Sequence, residues 1–111
     1  MSAPRLTARF WVEAYLARLR QAEIPAFVTA KGDATAGAVV VKLNTLDGRA
    51  AAFQRSYDRE GARIWAPLAE GAEAEVDAAL ERQRRFDPDL WVIEVEDRSG
   101  RHLLDQPGLA D

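Results

Sequence analysis

The segment AVVVKLNTLDGRAAAFQRSY, residues 38–57, constrains the fold more than any other part of the sequence. Its first part, residues 38–44, is rich in β-branched side chains, which predicts a strand. Asp47 and Gly48 favour a tight turn within a loop of about four or five residues. The chain then returns as a second predicted strand at residues 50–57. Strands joined by a short turn pair antiparallel, so this segment predicts the centre of an antiparallel sheet.

Three more strands are predicted outside this hairpin. The segment PAFVTAK, residues 25–31, precedes it, and RIWAPL, residues 63–68, follows it after the turn sequence DREG. Pro67 cannot donate a hydrogen bond to a neighbouring strand, which indicates a sheet edge or a strand end. Residues 90–96 form the last predicted strand, and the turn DRSG leads from it to a short return at residues 102–104.

Two helices are predicted around the strands. The first extends from Thr7 to Ala22, because its apolar residues recur at helical spacing and Thr7 can cap its first turn. Pro25 limits this helix, since the residue before a proline is pushed out of the α region. The second extends from Glu73 to Phe86, with acids in its first turn and arginines in its last, as the helix dipole favours.

The element order is therefore α-β-β-β-β-α-β, which predicts an α+β fold. We expect a mostly antiparallel sheet of about five strands with both helices packed on one face. The loop GDATAG, residues 32–37, is interpreted as a hairpin connection rather than a phosphate loop, because a strand follows it and not a helix. The length of 111 residues suits a single domain, residues 1–111, with residues 106–111 as a frayed tail.

The composition excludes several kinds of site and suggests a location. The chain has no cysteine, which excludes disulfides, thiolate nucleophiles and cysteine-ligated metal centres. Arginines interrupt the apolar residues near the N-terminus, so neither a secretory signal nor a membrane span is expected. A cytoplasmic protein without membrane contact is therefore predicted.

Charge is distributed unevenly along the chain. Residues 1–56 carry eight Lys/Arg against four Asp/Glu (+4) and residues 57–111 carry seven against fourteen (−7), which add to the net charge of −3. Nucleic-acid binding depends on clustered positive charge, so this balance argues against it. A basic patch on the first helix is the alternative, formed by Arg5, Arg9, Arg18 and Arg20. The competing interpretation of these arginines is an ordinary solvent-facing helix surface.

The main chemical candidates lie in DPDLWVIEVEDRSGRHLLD, residues 87–105. Side chains alternate along a strand, so Glu94 and Glu96 point to the same side and lie about 7 Å apart. Two such carboxylates can act as an acid and a base, or bind Mg²⁺ or Ca²⁺. The competing interpretation is structural, with the glutamates in cross-strand ion pairs with basic residues such as Lys42 or Arg55.

His102 is the only histidine and the third candidate binding residue. Nucleophilic catalysis requires a base beside a nucleophile, and Ser99 is the nearest serine in the sequence. No nucleophile elbow surrounds Ser99, so the sequence assigns no catalytic residue, no metal ligand and no cofactor. Whether Glu94, Glu96 and His102 converge on one cavity depends on tertiary structure.

Three segments of the sequence resemble a known family. GDATAGAVVVKLNTLDG, RFDPDLWVIEVEDRSGRHLLD and the helix FWVEAYLARL are similar to the uncharacterised bacterial family DUF1491. The resemblance extends over nearly the whole chain. It implies a single-domain cytoplasmic protein, and the family carries no assigned activity, cofactor or catalytic residue to transfer.

Three functions are compatible with these patterns. The leading hypothesis is a small non-enzymatic protein-interaction module or accessory subunit, which binds a protein partner or a second copy of itself through an exposed sheet edge or face. It rests on a well-patterned core without a recognisable catalytic motif. The second is a carboxylate-dependent enzyme or divalent-metal-binding protein that uses Glu94 and Glu96. The third is weak nucleic-acid binding through the first helix.

Overall fold

The computed structural model describes residues 6–110. Its elements follow the predicted order, α-β-β-β-β-α-β, and confirm the α+β class. They are α1 (Ala8–Gln21), β1 (Ala26–Ala30), β2 (Val39–Asn44), β3 (Arg49–Tyr57), β4 (Arg63–Ala72), α2 (Glu73–Phe86) and β5 (Trp91–Glu96). Neither helix in this described part of the chain is long and apolar enough to cross a membrane.

The helix ends follow from local sequence. Thr7 Oγ1 accepts a hydrogen bond from the backbone N–H of Phe10 over 3.2 Å, which satisfies one of the unpaired donors in the first turn of α1. Acids in the first turn of α2 and Arg84 and Arg85 in its last turn complement the helix dipole. Both helices therefore lie within one residue of their predicted bounds.

The sheet has the strand order β1-β5-β2-β3-β4. Three neighbouring pairs are antiparallel and one, β2 with β5, is parallel. The prediction of about five mostly antiparallel strands is confirmed, and the parallel pair makes the sheet mixed. This pair arises because β5, the last strand in the chain, inserts between β1 and β2.

The prediction that the loop at residues 32–37 joins a hairpin is wrong, because β5 separates the two strands that it connects. The loop instead crosses the start of β5. Asp33 N–H donates to Asp89 O over 2.9 Å, and the Trp91 indole N–H donates to Asp33 O over 2.7 Å. A Cβ atom on Gly32 would lie 2.1 Å from Asp89 O, so this crossing requires glycine.

The helices pack on opposite faces of the sheet, so the prediction that both cover one face is wrong. Val41 and Ile93 belong to the core beneath α1, whereas Val40 and Val92 belong to the core beneath α2. All residues of β2 are buried, as expected for a strand that is covered on both sides. The three consecutive valines at the start of β2, residues 39–41, agree with this arrangement.

The C-terminal segment packs against the α1 face, which corrects the prediction that residues 106–111 fray. Leu109 is 2% exposed and belongs to the core beneath α1. The Arg55 guanidinium donates to the carbonyls of Leu109 and Ala110 over 2.8 and 2.7 Å. Residues 102–104 form no strand. Asp111 lies outside the described residues.

Candidate functional site

A cluster of charged side chains surrounds Lys42 on the α2 side of the sheet. β2 places Lys42 and Asn44 on this side, and β5 places Glu94 opposite Lys42 in register. The first two turns of α2 supply Glu73 and Asp77. We term this group of side chains the Lys42 cluster.

The Lys42 ammonium is the centre of the cluster. Its side chain is 4% exposed, and Nζ donates to Asp77 Oδ1 over 2.7 Å and to Glu73 Oε2 over 2.8 Å. A third hydrogen bond reaches Glu94 Oε1 over 3.1 Å. Asn44 Nδ2 donates to Glu73 Oε2 over 3.0 Å and to Glu94 Oε2 over 3.3 Å. All three ammonium donors are therefore used.

The electrostatics hold Lys42 in its protonated form. Burial by itself lowers the pKa of Lys42, but the hydrogen bonds to Asp77, Glu73 and Glu94 outweigh burial and raise the pKa above its ordinary value. A protonated amine has no lone pair, so Lys42 cannot act as a nucleophile or a base near neutral pH. Its hydrogen bonds instead attach α2 to the sheet.

The cluster bears directly on the predicted metal chemistry. The carboxylates of Glu73, Asp77 and Glu94 converge on Lys42 Nζ, which is their shared counter-charge. Across residues 6–110, no group of three or more His, Cys, Asp or Glu side chains is arranged to hold a metal ion. The cross-strand ion pair between Glu94 and Lys42 agrees with the structural interpretation of the acidic segment.

The predicted binding residues do not converge on one cavity. Glu94 and Glu96 lie on the α2 side of β5, as their alternation predicted. His102 lies on the opposite face, where its ring centroid is 5.0 Å from that of Phe53, a residue packed against the core beneath α1. The sheet therefore separates His102 from both glutamates.

His102 stabilises the chain after β5. Its Nδ1 accepts from the Leu104 N–H over 2.9 Å, and its carbonyl accepts from the Tyr15 hydroxyl over 2.8 Å. Burial lowers the pKa of His102, and the charge of Asp105 offsets part of this effect. His102 is therefore neutral at neutral pH and helps to hold the C-terminal segment near α1.

A groove opens beside the Lys42 cluster, between α2 and β1. It has a volume of about 860 Å³. Val92 and Glu94 lie at its floor, Thr29 lines the β1 side, and Arg84 lines the α2 side. The Thr29 hydroxyl donates to Val92 O over 3.2 Å, and Arg84 donates to Pro88 O over 2.9 Å. We term this space the α2–β1 groove. The Thr29 hydroxyl and one terminal nitrogen of Arg84 have partners in the fold, whereas Arg84 Nε is buried without a hydrogen-bond partner.

The outer side of β1 has no neighbouring strand within residues 6–110. Glu96 N–H donates to Pro25 O over 2.9 Å. This bond determines which residues of β1 form backbone hydrogen bonds with β5 and which direct their backbone groups away from it. Since an antiparallel ladder alternates, Phe27 directs its backbone groups to β5, and Ala26 and Val28 direct theirs outward. The Phe27 side chain is 52% exposed, and that of Val28 is 40% exposed. We term the outer side of this strand the β1 edge.

The edge at β4 differs in kind from the β1 edge. β4 contains Pro67 and lies at the edge of the sheet, as the proline predicted. It also contains the charged residues Arg63 and Glu70. Irregular pairing does not distinguish the two edges, since the register shifts between Ala52 and Phe53 opposite β4 and between Val28 and Ala30 in β1. Proline and charged side chains both discourage the addition of another strand at β4. β1 has the sequence AFVTA, which contains neither proline nor charge.

The arginines of α1 have separate structural roles. Arg9 Nε donates to Glu13 Oε1 over 3.1 Å. Arg18 donates to the Gln106 side chain over 3.0 Å and to Pro107 O over 3.1 Å, which anchors the C-terminal segment. Arg20 is exposed, and Arg5 lies outside the described residues. Arg9 and Arg18 thus already have partners within the domain.

Sequence reasoning missed Glu73, Asp77 and Asn44 as partners of Lys42. The acidic residues at the start of α2 were already explained by their favourable interaction with the helix dipole, so no other role was sought for them. A detectable signal was Lys42 itself, because a charged residue within a buried strand requires buried partners. The partners were not identifiable, since Glu73 and Asp77 lie 31 and 35 residues from Lys42 in the sequence.

The fold and these surfaces define a class of small α+β domain with a mixed sheet, one helix on each face and a lysine-centred cluster beneath α2. The family model described as a protein of unknown function (DUF1491) matches residues 6–105. The chain belongs to the DUF1491 family, as its resemblance predicted.

Solved structures of bacterial relatives share this fold. The crystal structure of a DUF1491 family protein from Caulobacter crescentus CB15 is 42% identical, with a TM-score of 0.82 over 93% of this chain and 98% of that chain. An NMR structure of a DUF1491 family protein from the same organism is 40% identical, with a TM-score of 0.79 over 95% and 97% of the two chains. The solution structure of protein Atu0922 from A. tumefaciens is 34% identical, with a TM-score of 0.70 over 84% and 86%. No curated protein matches the chain.

Proposed function

We propose that this protein is a small non-enzymatic interaction module that binds an extended polypeptide segment along the β1 edge. One observation carries the proposal: the β1 edge combines outward backbone groups with exposed Phe27 and Val28, and unlike β4 it contains neither proline nor a charged residue. Addition of a strand to a sheet edge is a recurrent mode of peptide recognition. Backbone hydrogen bonds supply affinity, and alternate side chains supply specificity.

The surroundings of the β1 edge offer different contacts on its two faces. Phe27 pairs with Glu94 in register, so its ring lies on the side of the α2–β1 groove. Val28 pairs with Ile93 and lies on the α1 side. A bound segment would therefore place alternate side chains beside Phe27 and beside Val28. This two-sided contact supports selection of particular partner sequences.

The Lys42 cluster supports a non-enzymatic role. Lys42 is protonated and fully hydrogen-bonded, and Glu94 is committed to Lys42 and Asn44. His102 lies on the other face of the sheet. The carboxylate-dependent alternative would require Glu94 to leave these partners, and the nucleic-acid alternative would require Arg18 to release the C-terminal segment. Neither alternative has support comparable to that of the β1 edge.

Photo-cross-linking in cells that make the protein tests this proposal. Phe27→p-benzoylphenylalanine introduces a cross-linking group of similar shape on the β1 edge. Discrete cross-linked protein bands are expected after illumination, because the benzophenone would lie within the bound surface. Fractionation of the same cells tests the cytoplasmic location, which is part of the proposal.

Phe10→p-benzoylphenylalanine provides a matched control. Phe10 is 57% exposed, close to the 52% of Phe27, but it lies in the first turn of α1. Bands that appear at position 27 and not at position 10 would support the β1 edge as the binding surface. The absence of bands at position 27, or the same bands at both positions, would refute it.

A further inference from the structure

We infer that a cavity on the α1 side of the sheet binds a small ligand that combines a planar aromatic ring with an anionic group. The cavity has a volume of about 740 Å³, which suits a small-molecule site. It lies between the start of α1, the loop before β2 and the hairpin of β3 and β4. We term this space the α1–β4 cavity. The inference goes beyond the proposed function, since β4 and β1 are opposite edges of the sheet.

The β3–β4 hairpin supplies aromatic and basic side chains to this cavity. Arg55 pairs with Trp65 across the two strands, and Tyr57 pairs with Arg63. These positions are two residues apart on each strand, so the four side chains point to the same side of the sheet. Trp65 packs against the core beneath α1, which identifies this side as the α1 face. Two arginines and two aromatic residues of the hairpin therefore line the cavity.

The aromatic wall of the α1–β4 cavity is fixed in position by its contacts. The ring centroids of Trp11 and Trp65 are 5.3 Å apart, and Trp11 also stacks on Tyr15 at 4.9 Å. The Arg55 guanidinium lies 4.5 Å from the centre of the Trp65 ring. Tyr57 is 58% exposed, so its ring is accessible to a planar ligand. Aromatic rings bind one another in offset or tilted stacks, which favours an aromatic ligand here.

The charge of the cavity favours an anion. Arg55 and Arg63 line it, and among residues 6–110 no aspartate or glutamate does. Arg55 donates to the carbonyls of Leu109 and Ala110, so it is engaged in the fold. Arg63 is exposed and forms no ion pair with another residue of this range. Its guanidinium can therefore bind a carboxylate or phosphate through two parallel hydrogen bonds.

The start of α1 does not supply the anion site, although it borders the cavity. The N–H groups of Ala8 and Arg9 donate to Thr35 O and Ala34 O over 3.0 and 2.9 Å. These bonds hold the loop before β2 against the helix and occupy donors that could otherwise face an anion. Arg63 is thus the group that we assign to the negative charge of the ligand.

The Trp11 indole N–H is a second, independent indication of a ligand. The indole N–H groups of Trp65 and Trp91 donate to Leu109 O and Asp33 O over 2.9 and 2.7 Å. That of Trp11 is buried and has no hydrogen-bond partner among residues 6–110. Buried donors without an acceptor are rare in folded proteins, because each is costly. Since Trp11 lines the cavity, an oxygen or ring nitrogen of a ligand can supply the acceptor.

These features define the ligand by its chemistry. Its ring stacks on Tyr57, an acceptor atom lies beside Trp11, and its anionic group binds Arg63. Nucleotides and aromatic carboxylates share this combination of a flat ring, acceptor atoms and negative charge. The test therefore uses one probe from each of the two sources.

Heteronuclear NMR of the isotope-labelled full chain tests the inference through the indole N–H signals. We expect adenosine monophosphate, naphthoate or both to move the signals of Trp11 and Trp65 saturably up to about 5 mM, a range that covers weak binding. The Trp91 signal should move less, because its indole N–H is bonded to Asp33 O away from the cavity. A response to only one probe identifies the source of the ligand. No saturable response to either probe would overturn the inference.

Removal of the charge tests the assignment of Arg63. Arg63→Gln should weaken binding of the responding probe about tenfold, because it removes the charged partner of the anion. Arg59→Gln is the matched control, since Arg59 is exposed in the turn of the same hairpin and does not line the cavity. The uncharged counterparts of the probes, adenosine and naphthamide, should also bind about tenfold more weakly. Equal binding by the Arg63→Gln and Arg59→Gln variants would refute the anion site.

Removal of the ring tests the stacking surface. Tyr57→Ser should weaken binding of the same probe about tenfold, because the ligand loses an aromatic partner. Phe86→Ser should leave binding unchanged, since Phe86 is 89% exposed at the end of α2 and lies outside the cavity. Inorganic phosphate, an anion without a ring, should not move the Trp11 signal. A Tyr57→Ser variant that binds as tightly as the unaltered protein would exclude stacking on Tyr57.

Discussion

Lys42 shows how one buried charge can organise a whole side of a small domain. Transfer of an ammonium from water into a folded interior is unfavourable unless hydrogen-bonded partners of opposite charge compensate it. Three carboxylates from α2 and β5 provide that compensation and remain partly in contact with water. Their arrangement fixes the position of α2 relative to β2 more than it adds net stability.

Lys42→Met should destabilise the protein more than the loss of any single carboxylate partner. We expect it to lower the free energy of unfolding by about 2 to 4 kcal/mol, because it leaves three carboxylates without their shared counter-charge. Glu94→Gln should lower it by about 1 to 2 kcal/mol, since Lys42 keeps Glu73 and Asp77. Urea unfolding measures both changes. A smaller loss for Lys42→Met than for Glu94→Gln would contradict the central position of Lys42.

His102 should make the protein less stable in mild acid. Burial lowers the pKa of His102 below its ordinary value of about 6.5, so the unfolded chain takes up a proton more readily than the folded chain. The contribution of His102 is therefore complete above about pH 6.5 and is lost as the pH falls through the folded pKa. Protonation of Nδ1 would also remove the acceptor for the Leu104 N–H.

His102→Asn isolates this effect, because asparagine can still accept from the Leu104 N–H and does not titrate. Urea unfolding at about pH 7.5 and about pH 5 should show a smaller loss of stability in the variant than in the unaltered protein. The chain contains no other histidine, and carboxylate titration is common to both proteins. Equal losses in the two proteins would show that His102 does not link stability to pH.

At the scale of elements, local patterns predicted the helices and strands but not how they are layered. The helical spacing near Thr7 and the apolar run of β2 have local causes, and both elements are found where they were expected. The residues of α2 and its immediate neighbours in sequence do not determine the side of the sheet on which α2 packs. It depends on burial of Val76 and Leu80 against β2, β3 and β5, which are distant in sequence.

The loop between β1 and β2 should tolerate no side chain at Gly32. Gly32→Ala is expected to lower the free energy of unfolding by about 2 to 3 kcal/mol, because its Cβ would lie 2.1 Å from Asp89 O and displace the start of β5. Gly61→Ala is the control. Gly61 has a positive φ of 84° but no atom within 4 Å of a built Cβ, so about 1 kcal/mol is expected. Equal losses in urea unfolding would show that the crossing is not close-packed.

At the scale of the whole molecule, the candidate surfaces were only partly predictable. Alternation placed Glu94 and Glu96 on one side, and Pro67 indicated the edge at β4. The separation of His102 from the glutamates was not predictable, because it depends on the path of the chain after β5. The partner of β1 was equally unpredictable, since the expected hairpin paired β1 with β2, whereas β5 lies between them.

The central position of β5 has a consequence for the order in which the chain can fold as it leaves the ribosome. β2, β3 and β4 follow one another and can pair as they emerge. β1 emerges before them, yet among residues 6–110 it pairs only with β5, the last of the described strands to emerge. Throughout most of synthesis, β1 and the apolar face of α1 therefore lack their final partners. Their folding completes after translation has passed residue 96, when β5 enters between β1 and β2.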